Sequence, residues 1–144
     1  MIAESTLPET LRETLERDIK GDVSFDPHVL ALYSTDASHY QIQPLGLVLP
    51  RDADDVLCAV RAAAEHGVAL LPRGGGTSLA GQTIGKSLVI DFSKYMDALI
   101  EVNADEQWAR VQPGIIRDEL NAALRPHGLL FAPDPATSSR ANVG

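Results

Sequence analysis

Leu7, Leu11, Leu15 and Ile19 recur at every fourth position, a spacing that lines them up along one face of a helix. Residues 6–20 are therefore predicted helical, with a capping box of Thr6 and Glu9 at the start and Gly21 as the stop. A shorter helix is predicted to begin at Asp26 and Pro27, because an aspartate can accept from the first free N–H groups and proline fits the first turn. Val29, Leu30 and Tyr33 give it an apolar side.

The pattern then changes. Residues 45–49, Leu-Gly-Leu-Val-Leu, form a short, continuously apolar run ended by Pro50, which predicts a strand covered on both faces. Asp52 caps a following helix whose apolar stripe is read as Val56, Leu57, Val60 and Ala63 or Ala64, ending at Gly67. Further buried strands are predicted at 68–71 and 88–90. Strand, helix and strand at these lengths make a βαβ unit with parallel strands and a right-handed crossover. Residues 99–102 and 108–111 read as a hairpin across the polar stretch 103–107, so the pairing switches to antiparallel. Ile116, Leu120, Ala123 and Leu124 return to helical spacing, with Pro126 and Gly128 closing that helix. The fold class is α+β: a small parallel three-stranded βαβ subdomain followed by the start of an antiparallel subdomain.

Composition narrows the chemistry. Of 144 residues, 12 are Lys or Arg and 20 Asp or Glu, a formal net charge of −8, so the overall field repels nucleic acid and anionic membranes and any anionic ligand must be held locally. Cys58 is the sole cysteine, which excludes an internal disulfide and a multi-thiolate metal site. His28, His39, His66 and His127 are too scattered for metal-ligand spacing, and no metal is assigned. Trp108 reads as a packing residue. No apolar run approaches the roughly 20 residues that span a bilayer, and the expected location is cytoplasmic.

The most informative stretch follows the second predicted strand: Pro72-Arg73-Gly74-Gly75-Gly76-Thr77-Ser78-Leu79-Ala80-Gly81-Gln82-Thr83. Three successive glycines lose much backbone entropy on folding, so something must require them. Without Cβ atoms the chain can aim consecutive N–H groups at one anion and let it approach, with the Thr77 and Ser78 hydroxyls as further donors. A flexible surface loop is the plain alternative. A P-loop is excluded because Ala80 stands where its first glycine belongs and residues 85–87 run into a strand rather than a helix. A Rossmann loop would need glycine at Leu79 and a helix opening at once.

This loop resembles the diphosphate-binding segment of the FAD-linked oxidase family, whose flavin fold is shared by vanillyl-alcohol oxidase and p-cresol methylhydroxylase. Tyr33-Ser34-Thr35-Asp36-Ala37-Ser38, Val111-Gln112-Pro113-Gly114 and Ala132-Pro133-Asp134-Pro135-Ala136-Thr137-Ser138 extend the likeness, which is nearest to glycolate oxidase and D-lactate dehydrogenase types. The resemblance implies residues 1–40 as a helical lead-in and 41–144 as the N-terminal part of an FAD-binding domain, truncated at its C-terminal end. It implies that Gly74, Gly75, Gly76, Thr77 and Ser78 hold the FAD diphosphate, with Leu79, Gln82 and Thr83 alongside. Pro133, Asp134, Thr137, Ala141, Asn142 and Gly144 are candidates for further contacts with the flavin; Asp134 between two prolines also reads as a plain turn residue.

Some members of the wider family bond FAD to a histidine in a pattern similar to Gly-Gly-His-Ser. Gly75-Gly76-Thr77-Ser78 carries Thr77 there, and a threonine hydroxyl is a poor nucleophile without an adjacent base, so non-covalent FAD is expected. The implied reaction is oxidation of a D-2-hydroxy acid to the 2-oxo acid, with an unidentified electron acceptor and an iron–sulfur region or subunit as further partners. No catalytic residue is assigned, since in similar proteins those lie later in the chain. A non-catalytic nucleotide- or phosphate-binding module, and an acidic interaction domain without cofactor, remain as alternatives.

Overall fold

A strand can be apolar at every position only if both of its faces are covered. In the computed structural model, which describes residues 7–144, that condition is met by helices on the two sides of one sheet. In chain order the elements are α1 (Glu9–Asp18), β1 (Asp22–Ser24), α2 (Pro27–Leu32), β2 (Gly46–Leu49), α3 (Ala53–Glu65), β3 (Leu70–Arg73), β4 (Leu88–Asp91), β5 (Leu99–Asn103), β6 (Trp108–Val111) and α4 (Arg117–Leu124), with a short 3₁₀ turn at Arg125–His127. Val48, Leu88 and Ile90 pack with α1 and α3 on one face, while Leu47, Leu49 and Val89 meet α2 on the other. Beside this layer, Ile115, Leu120 and Leu124 gather a separate core with the β5–β6 hairpin.

The sheet differs from expectation in two ways, an added strand and a more exposed β3. It has four strands in the order β1-β2-β4-β3: β2, β4 and β3 are parallel as predicted, and β1 adds an antiparallel edge. Asp22-Val23-Ser24 offers one apolar residue in three, so no periodicity marks it. The two strands of the βαβ unit are not neighbours, because β4 lies between them. The strand predicted at 68–71 begins at Leu70 and is a half-buried edge rather than a buried strand.

Helix details shift too. The Thr6–Glu9 capping box lies outside the described residues. Gly21 does not terminate α1, which ends at Asp18 with Ile19 already extended. Its role is close approach, since a Cβ there would lie 2.0 Å from the Leu49 carbonyl oxygen. In α3 the buried face is Asp55, Ala59, Ala62 and Ala63, whereas Leu57 and Val60 of the predicted stripe are exposed. Alanines at that contact let the leucines of α1 settle close against α3. The predicted caps are present: Asp26 accepts from His28 and Val29, Asp52 accepts from Asp54 and Asp55, and Gly67 follows α3 with φ +63°.

Asp55 ties these pieces together. Its carboxylate, 1% exposed, accepts from the backbone N–H of Lys20 (2.9 Å), Gly21 (3.0 Å) and Arg51 (2.9 Å). Three donors without side chains to rotate away thus fix the α1–β1 junction to the start of α3. Asp55→Ala should destabilise the fold by about 3 kcal/mol or more, because it removes hydrogen bonds to a charged group and strands buried donors. Asp52→Ala, a cap loss at a more exposed position, should cost about 1 kcal/mol. Denaturant titration of both variants checks the ranking.

Candidate functional site

The glycine-rich loop leaves the carboxyl end of β3, where ligand crevices form in parallel sheets. Gly76 and Gly81 have φ of +65° and +75°, conformations that side chains disfavour. Between them Ser78 closes a tight turn: its Oγ accepts from Ala80 and Gln82 N–H, each at 3.2 Å, and donates to Gln82 Oε1. Upstream, the N–H groups of Gly76, Thr77, Ser78 and Leu79 meet no acceptor among the described residues. Four consecutive unpartnered donors, with the half-buried Thr77 hydroxyl beside them, make an edge of main chain whose chemistry suits an anion.

The triplet's missing Cβ atoms have a second explanation, absent from the sequence reading. A Cβ on Gly74 would fall 2.6 Å from Asn142 Oδ1, one on Gly75 2.4 Å from the Arg140 carbonyl oxygen, and one on Gly76 2.6 Å from Arg73 Nη2. The glycines therefore admit protein atoms behind the loop, which turns its free donors outward. Asn142 is the link: its Oδ1 accepts from Gly75 N–H at 2.5 Å, and its Nδ2 donates to the Gly114 carbonyl. Nothing in the local sequence announces this contact, which joins residues far apart in the chain.

The other predicted positions fall into separate groups. Thr83 donates to Asp36 through Oγ1 at 3.0 Å and through N–H at 3.4 Å. Partial burial works against the charged form of Asp36, but hydrogen bonds from Ser38 and Thr83 outweigh it and hold the carboxyl below the usual aspartate range. Leu79 is 79% exposed. The segment 137–144 runs back along the start of α4: Ala141 and Ser138 carbonyls accept from Arg117 and Asp118 N–H, Thr137 O accepts from Arg140 and Ala141, and Gly144 N–H reaches Pro113 O. Arg117 also holds the Pro133 carbonyl at 3.0 Å and Asp134 at 3.1 Å. So Asn142 meets the glycine loop, while Pro133 and Asp134 are gathered by Arg117 and Gly144 by Pro113.

Hollows of about 420 Å³ beside α1 and α3 and about 340 Å³ beside the hairpin and α4 include no residue of the glycine loop. The loop's chemistry, free N–H groups with known chemical preference, decides the site more than concavity does. Among the described residues no His, Cys, Asp and Glu cluster could hold a metal, and no helix is long and apolar enough to cross a membrane.

A mixed sheet with helices on both faces, an antiparallel hairpin alongside and a donor-lined loop at the sheet's carboxyl end define an α+β domain fitted to hold an anionic cofactor group. Among solved structures, alkyldihydroxyacetonephosphate synthase matches 97% of the chain with a TM-score of 0.82 at 22% identity, over 28% of that protein. p-Cresol methylhydroxylase matches 83% of the chain, and 25% of its own, with a TM-score of 0.66 at 15% identity. The family described as FAD binding domain matches residues 44–144. The D-2-hydroxyglutarate dehydrogenase of Pseudomonas putida is 44% identical over 95% of the chain and 14% of its own length, and the glycolate oxidase subunit GlcD of Bacillus subtilis is 34% identical over 88% of the chain and 28% of its own. The chain belongs to the FAD-linked oxidase family, as an FAD-binding domain of the p-cresol methylhydroxylase-type fold. It spans about a seventh of the Pseudomonas relative.

The packing behind the loop gives a direct test. Gly75→Ala should cost about 1–3 kcal/mol, because its methyl group collides with main chain at Arg140. Gly85→Ala, whose methyl group would meet only ordinary contacts from 3.6 Å outward, should be neutral or slightly stabilising through the unfolded state. Equal effects in denaturant titrations would contradict the assignment of Gly75 as a contact glycine.

Proposed function

We propose that these residues hold the diphosphate of FAD in an enzyme that oxidises a D-2-hydroxy acid, of the lactate, glycolate or 2-hydroxyglutarate kind, to the 2-oxo acid. One observation carries the cofactor half of this reading: the row of unpartnered N–H groups from Gly76 to Leu79. A diphosphate offers many acceptor oxygens and no donors, and it meets here donors fixed in place by the contacts behind Gly74, Gly75 and Gly76. The Thr77 hydroxyl adds a side-chain donor, while the Ser78 hydroxyl shapes the turn and Gln82 receives it. Thr83 anchors the far end of the loop. Pro133, Asp134, Thr137, Ala141, Asn142 and Gly144 belong to the segment proposed to lie against the flavin.

The substrate class rests on similarity to proteins named D-2-hydroxyglutarate dehydrogenase and glycolate oxidase subunit GlcD, of which the chain spans 14% and 28%. A flavin bound here would supply the two-electron acceptor that oxidation of a 2-hydroxy acid to a 2-oxo acid requires. The residues of this chain bind and orient. Tyr33 and Asp91, which lie near the loop's base, form a structural pair: burial and then the Asp91 carboxylate push the Tyr33 phenol up, so it stays a protonated donor at 2.8 Å. Attachment is non-covalent in this reading, because residues 74–83 include no histidine, cysteine or tyrosine.

The test uses the full-length protein. Its apoprotein should bind FAD, acid denaturation of the holoprotein should leave the flavin in the supernatant, and a dye should be reduced with one of D-lactate, glycolate or D-2-hydroxyglutarate. Flavin that pellets with a loop peptide would refute non-covalent attachment. FAD binding without turnover on any 2-hydroxy acid would favour a non-catalytic module. The 144-residue chain alone should show no turnover.

A further inference from the structure

The segment Tyr33 to Ser38 supplies none of the unpartnered N–H groups, yet it is where the glycine loop is fastened. Arg73, the last residue of β3, sends its guanidinium to three main-chain carbonyls: Tyr33 O at 3.3 Å and Thr83 O at 2.9 Å through Nη1, and Thr35 O at 2.9 Å through Nη2. The same group lies over the Tyr33 ring, 5.2 Å from its centroid, and directly behind Gly76. Tyr33 is in turn held by Asp91 on the central strand. From the other side Asp36 takes both donors of Thr83, and Ala37 N–H donates to Gly76 O at 3.1 Å. The Tyr40 ring lies against Gly81. Arg73 forms no ion pair among the described residues; its donors go to neutral carbonyls.

We propose that Arg73 and Asp36 are positioning residues that clamp the two ends of the loop onto residues 33–38, and that they set diphosphate affinity by fixing the N–H groups of Gly76 to Leu79 in one arrangement. A planar guanidinium can reach three carbonyls at set angles, and a lysine ammonium on a flexible stem cannot reproduce that fork. A carboxylate beside a diphosphate site opposes the ligand by charge alone, so a contribution of Asp36 to binding must come through the hydrogen bonds it accepts, those from Thr83 of the loop and from Ser38. Donors ordered before the ligand arrives leave less to be ordered on binding.

This inference rests on the FAD reading, and the experiment separates the two. Full-length apoprotein is titrated with FAD and with riboflavin, which lacks phosphate. Arg73→Lys keeps the charge and should lower FAD affinity by about tenfold or more, the size expected for a lost hydrogen bond to a charged group, while riboflavin affinity changes by less than about twofold. Asp36→Asn removes a negative charge near the loop: the clamp predicts weaker FAD binding, and a purely electrostatic role predicts tighter binding. Should Arg73→Lys lose the fold by circular dichroism, the sign of the Asp36→Asn effect still decides. Unchanged FAD affinity in Arg73→Lys, parallel losses for both ligands, or tighter FAD binding in Asp36→Asn would overturn the clamp. Wild-type protein without FAD affinity would instead overturn the cofactor reading on which it stands.

Discussion

Everything in this domain is hung on β4, a strand with no solvent-facing side. Leu88, Val89 and Ile90 are at most 3% exposed, paired along one edge to β2 and along the other to β3. A central strand of this kind has no tolerance for slippage, since a one-residue shift would exchange the residues packed under α1 and α3 with those packed under α2. That register in turn fixes where β3 ends, and the end of β3 is where the glycine loop begins. Even the polar residue that closes β4 is committed: Asp91, 5% exposed, accepts from Tyr33 and from Ser93 N–H.

The site follows as a consequence of two returns of the chain. Residues 33–38 come back under the loop from one side, and residues 137–144 from the other. The contact with Arg140 and Asn142 needs the absence of Cβ atoms at Gly74 and Gly75, and both returns use main-chain groups of the loop, Gly75 N–H in one and Gly76 O in the other. What is left over is the row of N–H groups of Gly76 to Leu79, which meet no acceptor among the described residues. The proposed cradle is thus the unused remainder of a packed loop.

Elements whose signal is local were legible in the sequence. The every-fourth-residue leucines of α1, the aspartate caps of α2 and α3, the apolar runs of β2 and β4 and the polar tip of the hairpin all correspond to observed structure. Local pattern is silent or misleading where the deciding contact is distant. Strand β1 is three residues long and is defined by pairing to β2 rather than by its own composition. On α3 size misleads: Leu57 and Val60 are exposed, because α1 packs against the helix at Ala59, Ala62 and Ala63. Gly21 looked like a helix stop and is instead a point of contact with β2. At the site, the loop and its donors could be read from Gly74-Gly75-Gly76-Thr77-Ser78, but the bridge from Asn142 through Gly75 to Gly114 depends on a fold that no window of sequence displays.

A net charge of −8 and the proposed diphosphate ligand present no contradiction once ranges are compared. Charges on the surface act through water and are screened over about 8–10 Å, and several acidic side chains are already matched by neighbours, as Asp22 is by Lys94 and Asp134 by Arg117. An N–H group acts at about 3 Å, and its strength depends on direction. Four unpartnered N–H groups in a row would therefore dominate locally over a diffuse field of the opposite preference. The same comparison shows how the carboxylate of Asp36 could stand beside the proposed site: it accepts hydrogen bonds from Ser38 N–H and from Thr83, short-range contacts that engage its oxygens where its charge would otherwise act alone.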